Sequence, residues 1–443
     1  MKICIVGAGA AGLAALKHSL DEGHDCELFE QTGFIGGVWK YVDKVGLDEF
    51  GLPIHTSMYE DLRTNLPKEL MMFEDFPYKK ELTRSYISFQ EVYEYIEAYA
   101  EFFNLSTHIK LYHHLEAVSP IHGGKWSVQV KNLRTKKVET KDFDSIIICV
   151  GNYSDPIVPK LPGENEFAGS IIHSHDYRNT DPYKNKTVLV VGVGPSGIDI
   201  AAKVLAVAKK VIQCQRTAKI EYGLKIAEGV IVKPEVDEIF EKSVKFIDGS
   251  VEEIDDIILC TGYRFSFPFL TPQCGLEVED HYVKYLYKHT INIEHPTMAF
   301  IGMPKNIPLF PSFCLQVSWL NQLFFIPGVH SRAMYQPFTD TLYIYRARFY
   351  LAFLRGNLGV TKEEMREDVE NFMKECKQSG QQPNTKIDEN GFRQFYEELA
   401  TLAHITPMKP VIPNIFDYLE KEGFGNHNIN YKILNDEDFE HDL

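Results

Sequence analysis

The sequence predicts an α/β protein with two Rossmann-like dinucleotide-binding units, the second inserted into the first, and a helical C-terminal region. Three observations lead there. Two glycine hexads, Gly7-Ala-Gly-Ala-Ala-Gly12 and Gly192-Val-Gly-Pro-Ser-Gly197, each follow a short apolar run and open an apolar segment of helical spacing. Glu30 ends the next strand-like run after the first hexad, at the position of a ribose-binding carboxylate. A further apolar strand pattern, His295-Pro-Thr-Met-Ala-Phe-Ile-Gly302, follows the second unit and is expected to rejoin the first.

Ile3-Cys-Ile-Val6 reads as the first strand, and the hexad after it as a strand-to-helix turn. In such a turn Gly7 permits the tight bend, Gly9 lets backbone approach a pyrophosphate, and Gly12 lets helix pack on strand, with Ala8, Ala10 and Ala11 too small to obstruct. The helix amino terminus then offers free N–H groups and a positive dipole end to an anion. Asp25-Cys-Glu-Leu-Phe-Glu30 is the second strand. A carboxylate at its end accepts ribose hydroxyls and repels a 2′-phosphate, so this site suits FAD or NAD. Phe143–Gly151 forms an apolar strand before the proline-rich, extended linker of Asn152–Gly163.

Val188-Leu-Val-Val191 and the turn with Gly192, Gly194 and Gly197 repeat the device. After the matching strand, Val211–Gln215, Arg216 and Thr217 stand where a guanidinium and a hydroxyl can bind a 2′-phosphate, which favours NADPH. This unit ends in Ile254–Gly262. In the last stretch Thr361-Lys-Glu-Glu364 is a capping box, followed at helical spacing by Met365, Val369, Phe372, Met373 and Cys376, a core stripe. The divisions follow: 1–155 begins the first nucleotide domain, 156–290 holds the linker and second nucleotide domain, and 291–443 completes the first and adds the helices.

Composition narrows the class. A chain of 443 residues allows about three domains. A net charge of −16, from 46 basic and 62 acidic side chains, argues against nucleic acid or anionic membrane as a partner. Asp436, Glu437, Asp438, Glu440 and Asp442 crowd a tail expected to be a solvated end. The eight cysteines include no CxxC pair, and five lie in strand-like runs, as free thiols do in a reducing compartment. Met1 leads straight into the first strand, so no signal peptide is expected. The nearest thing to a membrane span, Phe313–Pro327, is broken by Gln316, Ser318, Asn321 and Gln322. A soluble cytoplasmic protein is the expectation, with secretion left open should a leader have been removed.

These motifs resemble those of the flavin-containing monooxygenases, single-component enzymes using FAD, NADPH and O2. Phe167-Ala-Gly-Ser-Ile-Ile-His173-Ser-His-Asp-Tyr177 matches the FxGxxxHxxx[YF] signature of that family. Gly36-Gly-Val-Trp39 resembles its GGxW element, and Tyr59–Glu69 the segment that brings an asparagine to the flavin. Cys260-Thr-Gly-Tyr263 resembles ATGY with Cys for Ala. The resemblance spans almost the whole chain.

It implies that the first hexad and Glu30 hold FAD, with Gly37, Val38 and Trp39 beside the flavin half. It places Asn65 against the isoalloxazine and nicotinamide as the catalytic residue, with Thr64 and Leu66 beside it. Leu115 would meet the adenine through its backbone, and Gln316 would reach the flavin from the returning domain. Ser196, Gly197, Ile198 and Asp199 would open the helix at the NADP pyrophosphate. No metal is implied. The implied reaction passes hydride from NADPH to FAD and activates O2 as a flavin 4a-hydroperoxide, which an amine nitrogen or thioether sulfur attacks. The partners are a small nucleophile and O2, and a homo-oligomer stays open.

Two departures qualify this. Pro311–Trp319 keeps Gln and Trp of the family's Glu-x-Gln-x-Arg-Trp pattern but has Cys314 and Ser318 for Glu and Arg. No hydrophobic C-terminal anchor of the kind found in vertebrate members is expected. Compact length and the Asp75-Phe-Pro77 stretch resemble insect members, among them pyrrolizidine-alkaloid N-oxygenases. Three alternatives remain. A Baeyer–Villiger monooxygenase shares the fold, but its signature ends in Trp where Tyr177 stands. A disulfide reductase needs a redox cysteine pair that is absent here. A non-oxygenating NADPH oxidase or nucleotide-binding flavoprotein would carry the same nucleotide motifs.

Overall fold

The computed structural model describes residues 1–214, 224–279, 282–303, 310–311, 349–356, 358–380, 383, 391–403, 407–425 and 427–442. Arg216, Thr217, Gln316 and the pattern from Ser312 to Trp319 lie outside them.

Strand β1 (Lys2–Val6) is buried from Ile3 onward and passes through the first hexad into α1 (Ala10–Asp21). The chain returns as β2 (Asp25–Phe29), parallel to β1 with Lys2 opposite Asp25 and Val6 opposite Phe29. A long loop follows, containing short 3₁₀ turns at Gly37–Trp39 and Lys68–Leu70. Helix α2 (Phe89–Phe102) starts at a capping box in which Ser88 and Glu91 satisfy each other's backbone N–H. Next come β3 (Ile109–Lys110) and an antiparallel meander of β4 (His113–Ile121), β5 (Lys125–Asn132) and β6 (Val138–Phe143), then β7 (Ser145–Ile148).

The second unit contains β8 (Ser170–His173), β9 (Thr187–Val191), α3 (Pro195–Leu205) and β10 (Lys210–Cys214). It continues with β11 (Ile231–Lys233), the small antiparallel sheet β12 (Val236–Ile239), β13 (Ser243–Phe246) and β14 (Val251–Glu253), and β15 (Asp256–Leu259). Its main sheet is parallel and runs β11-β10-β9-β15-β8.

The chain then re-enters the first unit. After a two-stranded ribbon, β16 (Val278–Glu279) and β17 (Tyr282–Val283), come β18 (Leu286–Tyr287), β19 (Ile291–Asn292) and β20 (Met298–Phe300). Strand β20 lies parallel to β7, and the first sheet reads β18-β19-β20-β7-β1-β2-β3. The His295–Gly302 pattern therefore does rejoin the first sheet.

On one face of that sheet α1 and α2 share a core with the C-terminal helices α4 (Phe349–Leu354), α5 (Lys362–Ser379), α6 (Gly391–Leu402) and α7 (Val411–Glu422); Leu13, Ile96, Met365, Leu399 and Ile415 meet there. On the other face the meander contributes Trp126, Val128 and Phe143 against Cys4, Phe29 and Phe300. The capping box read at Thr361 and Glu364 is present, with Met365 and Cys376 buried.

The tail departs from expectation. Its acids are exposed, but it forms an antiparallel ribbon of β21 (Asn430–Ile433) and β22 (Phe439–Asp442), with Asp436, Glu437 and Asp438 in the turn. Buried Tyr431 anchors the ribbon, a signal too short to stand out beside the charge run.

Among the described residues two chain crossings join the units, and they are hydrogen-bonded to each other. Pro156 bridges Tyr263, Ile157 N–H donates to the Gly262 carbonyl, and Arg264 N–H donates to that of Asp155. The Thr261 hydroxyl donates to the Ile157 carbonyl at 2.6 Å.

Candidate functional site

Both hexads fold as strand-to-helix turns. Gly7 has φ +96° and Gly192 φ +118°, values that favour glycine. A methyl on Gly12 would stand 1.8 Å from the Gly7 carbonyl oxygen, and one on Gly197 2.3 Å from that of Gly192. The middle glycines are different: a methyl on Gly194 meets nothing within 4 Å, and one on Gly9 only the Gly37 Cα, at 3.7 Å. Gly9 and Gly194 are the N-caps of α1 and α3, and no side chain caps either helix. The space above each middle glycine and the uncapped N–H groups form a cradle that fits a pyrophosphate.

Glu30 is buried at the end of β2. One carboxylate oxygen accepts Ala8 N–H at 2.8 Å; the other accepts the N–H and the hydroxyl of Thr32, each at 2.8 Å. It thus fixes the floor of the first turn, with lone pairs left for ribose hydroxyls. Leu115 lies in β4, its side chain in the core, close to a register shift that precedes Ala117. Strand β4 is tied to Glu30 by His113 N–H on the Glu30 carbonyl.

The Gly37–Trp39 turn sits directly on this cradle. Gly36 N–H donates to the Ala8 carbonyl, and a methyl on Gly37 would stand 3.0 Å from the Gly9 Cα. His55 donates to the Gly37 carbonyl at 3.0 Å and Thr56 to that of Val38 at 2.7 Å, so the turn is held from behind.

Asn65 is exposed on a fixed backbone. Its neighbour Thr64 is buried and exchanges two bonds with Ile87: Thr64 N–H to the Ile87 carbonyl, and Ile87 N–H to the Thr64 hydroxyl. The Thr64 hydroxyl is therefore turned into the protein as a brace. Leu66 packs half-buried against the first core, and Lys68 and Glu69 form a buried ion pair behind the loop.

In the second unit Ser196, Ile198 and Asp199 are half-buried at the start of α3, and Gly197 is buried. The Gln213 amide donates to the Gly192 carbonyl at 2.8 Å. The Asp199 carboxylate accepts the Tyr59 hydroxyl at 2.5 Å, a bond from the first unit to the second. Burial above all, then Asp199, holds the Tyr59 phenol well above its ordinary pKa, so it stays a donor. Lys203 of α3 donates to the Asp61 carbonyl at 2.9 Å beside it.

The signature Phe167–Tyr177 builds the junction between units. A methyl on Gly169 would stand 1.9 Å from the Asp255 carbonyl oxygen, so β8 can lie close to β15 only with glycine there. His173 accepts His175 N–H at 3.0 Å and lies edge-on to Tyr263. Burial first, then neighbouring His175, pushes its pKa down to about 4. Tyr177 packs between Tyr59 and Tyr183. Arg178, one residue beyond the signature, is buried with its guanidinium spread over the carbonyls of Val42, Lys44, Thr56, His175 and Tyr177. Sequence reasoning missed Tyr59 and Arg178, because their partners lie far away along the chain. Among the described residues no cluster of His, Cys, Asp or Glu could hold a metal ion, and no helix is long and apolar enough to cross a membrane.

Two dinucleotide cradles on adjoining Rossmann-like units define a flavin- and nicotinamide-dependent oxidoreductase. The family described as flavin-binding monooxygenase-like matches residues 1–222 and 219–332, and the chain belongs to it. It is 34% identical over 308 residues to senecionine N-oxygenase of Tyria jacobaeae, covering 69% of this chain and 67% of that protein. It is 34% identical over 334 residues to flavin-containing monooxygenase FMO GS-OX1 of Arabidopsis thaliana, covering 72% of each. The solved S-allyl-L-cysteine S-oxygenase of Allium sativum superposes with a TM-score of 0.80 at 27% identity, over 95% of this chain and 92% of that one. The protein is thus a flavin monooxygenase whose fold accommodates FAD and NADPH and whose substrates are O2 and a small nucleophile.

Proposed function

We propose that this protein inserts one oxygen atom of O2 into the nitrogen of tertiary amines, alkaloids among them, or the sulfur of thioethers, with Asn65 as the catalytic residue. The observation that carries the reading is an exposed amide on a backbone braced from behind, in a chain with two pyrophosphate cradles. FAD reduced by NADPH supplies the oxygen-activating chemistry that side chains lack. This chain's task is to hold the two nucleotides in register, keep water out and admit the nucleophile. An amide suits the position because it donates and accepts without a titratable proton.

The first cradle, with Gly7, Ala8, Gly9, Ala10, Ala11, Gly12 and Glu30, takes FAD; Gly37, Val38, Trp39, Thr64, Leu66, Leu115 and Gln316 border it. The second, with Gly192, Gly194, Ser196, Gly197 and Ile198, takes NADPH, and Arg216 and Thr217 take its 2′-phosphate. Asp199 serves that site through its Tyr59 bond rather than facing a phosphate, since a carboxylate repels one. We place the divisions at 1–155, 156–290 and 291–443, the second boundary falling late, since β18 (Leu286–Tyr287) already belongs to the first sheet. The likeness to senecionine N-oxygenase and to S-allyl-L-cysteine S-oxygenase supports soft nitrogen and sulfur nucleophiles.

The test incubates FAD-loaded protein with NADPH and air against tertiary amines, pyrrolizidine alkaloids and thioethers. N-oxide or sulfoxide formed in step with NADPH use supports the reading. Hydrogen peroxide as sole product with every compound, or an ester from a ketone, overturns it.

A further inference from the structure

Arg178 is a buried cation for which the oxygenation chemistry has no task, and its hydrogen bonds supply one. Its five guanidinium N–H groups all donate to backbone carbonyls. Nη1 donates to His175 at 2.8 Å and to Tyr177 at 3.0 Å, within the signature at the junction of the units. Nε donates to Val42 at 2.9 Å, and Nη2 to Lys44 and Thr56, each at 3.3 Å. The planar fork thus reaches from the junction to a loop of the first unit, 122 to 136 positions earlier in the chain.

That loop is a small hairpin at its tip. Leu47 bridges Pro53, Ile54 N–H donates to the Gly46 carbonyl, and Asp48 N–H to that of Leu52. Residues 43–47 are exposed and lean on nothing. Val42 and Lys44 stand on the leg that enters the hairpin and Thr56 on the leg that leaves it, so the guanidinium ties the two legs together at the base. The Arg178 carbonyl accepts Glu60 N–H at 2.8 Å, which fixes its own backbone to the same stretch.

Thr56 carries the hold onward. It is fully buried; its carbonyl accepts Arg178, and its hydroxyl donates to the Val38 carbonyl at 2.7 Å. Val38 lies in the Gly37–Trp39 turn, which sits over Gly9 and is bonded to Ala8 through Gly36 N–H. A continuous chain of bonds therefore runs from His175 and Tyr177, through Arg178 and Thr56, to the rim of the first cradle.

We propose that Arg178 is a positioning residue for FAD: from the junction, acting through Thr56, it holds the Gly37–Trp39 turn on the first cradle. The inference rests on the reading of that cradle as the FAD site. Lysine cannot take its place, because a compact ammonium donates from one point and cannot span carbonyls on both sides of the fork.

Arg178→Lys and Thr56→Val, singly and together, test it. In flavin-free protein, amide hydrogen exchange over residues 36–40 is compared with that over α2 and α3. FAD affinity is measured by titrating the apoprotein. Arg178→Lys should speed exchange over 36–40, leave α2 and α3 unchanged, and weaken FAD binding about tenfold, the worth of a hydrogen bond from a charged donor. Thr56→Val should do the same to a smaller degree, about fivefold. Because the two residues act in series, the double variant should bind FAD about as weakly as Arg178→Lys alone, whereas independent effects would multiply to about fiftyfold. If Arg178→Lys does not fold, Arg178→Gln, whose amide still donates, replaces it under the same criteria. Unchanged FAD affinity in either single variant, exchange rising equally in α3, or penalties that multiply would each overturn the proposal. A wild-type protein that takes up no FAD, while the exchange pattern holds, would sink the reading of the first cradle and leave Arg178 as the hold on the turn.

Discussion

Asn65 and Glu30 carry opposite burdens, and substitution should separate them. Asn65 is exposed and holds up nothing, so Asn65→Asp should retain FAD while cutting coupled oxygenation far below wild type; flavin absorbance beside product yield checks this. Glu30 is buried and accepts Ala8 N–H, so Glu30→Ala leaves a backbone donor unpaired, at a cost of about 1–3 kcal/mol. FAD affinity should fall by about tenfold or more, measured by titrating apoprotein with FAD and following the quenching of flavin fluorescence. Glu30 is readable from sequence because its place is local, at the end of the strand after a hexad, whereas Asn65 is proposed from the family resemblance of its loop. Tyr59 is not readable in either way. Tyr59 acquires its role by meeting Asp199, 140 positions away, and no short-range pattern marks such a meeting.

The strand–turn–helix units make a sharper contrast, between glycines that serve the fold and glycines that serve the ligand. Gly12→Ala drives a methyl into the Gly7 carbonyl oxygen, at 1.8 Å, so α1 cannot seat on β1. That variant should lose FAD and melt several degrees lower even as apoprotein. Gly194→Ala adds a methyl in open space at an ordinary negative φ of −72°. Its melting temperature should match wild type while NADPH affinity falls, since the methyl stands where the pyrophosphate approaches. Calorimetry and NADPH titration of the two variants decide between the roles. These elements, and the capping box at Thr361, were predictable because their spacing is their mechanism. The capping box at Ser88 is as readable from its spacing, whereas the tail ribbon is hidden by its charge.

Across the whole chain, stability and catalysis converge where the units meet. Tyr59→Phe removes the hydroxyl that Asp199 accepts, leaving a half-buried carboxylate without that donor. The NADPH KM should rise with FAD content kept, in steady-state kinetics. Acid should loosen the same region. His173 has a folded pKa of about 4, below the ~6.5 of an unfolded histidine, so the neutral ring is favoured by folding. Its contribution is complete above pH ~6.5 and is lost as pH falls from there through about 4. Between pH 7 and 4.5 the melting temperature of His173→Gln should therefore decline less steeply than that of wild type.

The paired crossings between the units have a mechanical consequence. A single strand is a swivel, but two strands bonded side by side, Asp155–Ile157 against Thr261–Arg264, form a leaf hinge. Such a leaf bends about one axis and resists torsion. Relative movement of the two units, if each turnover requires it, should therefore be restrained in twist more than in bending.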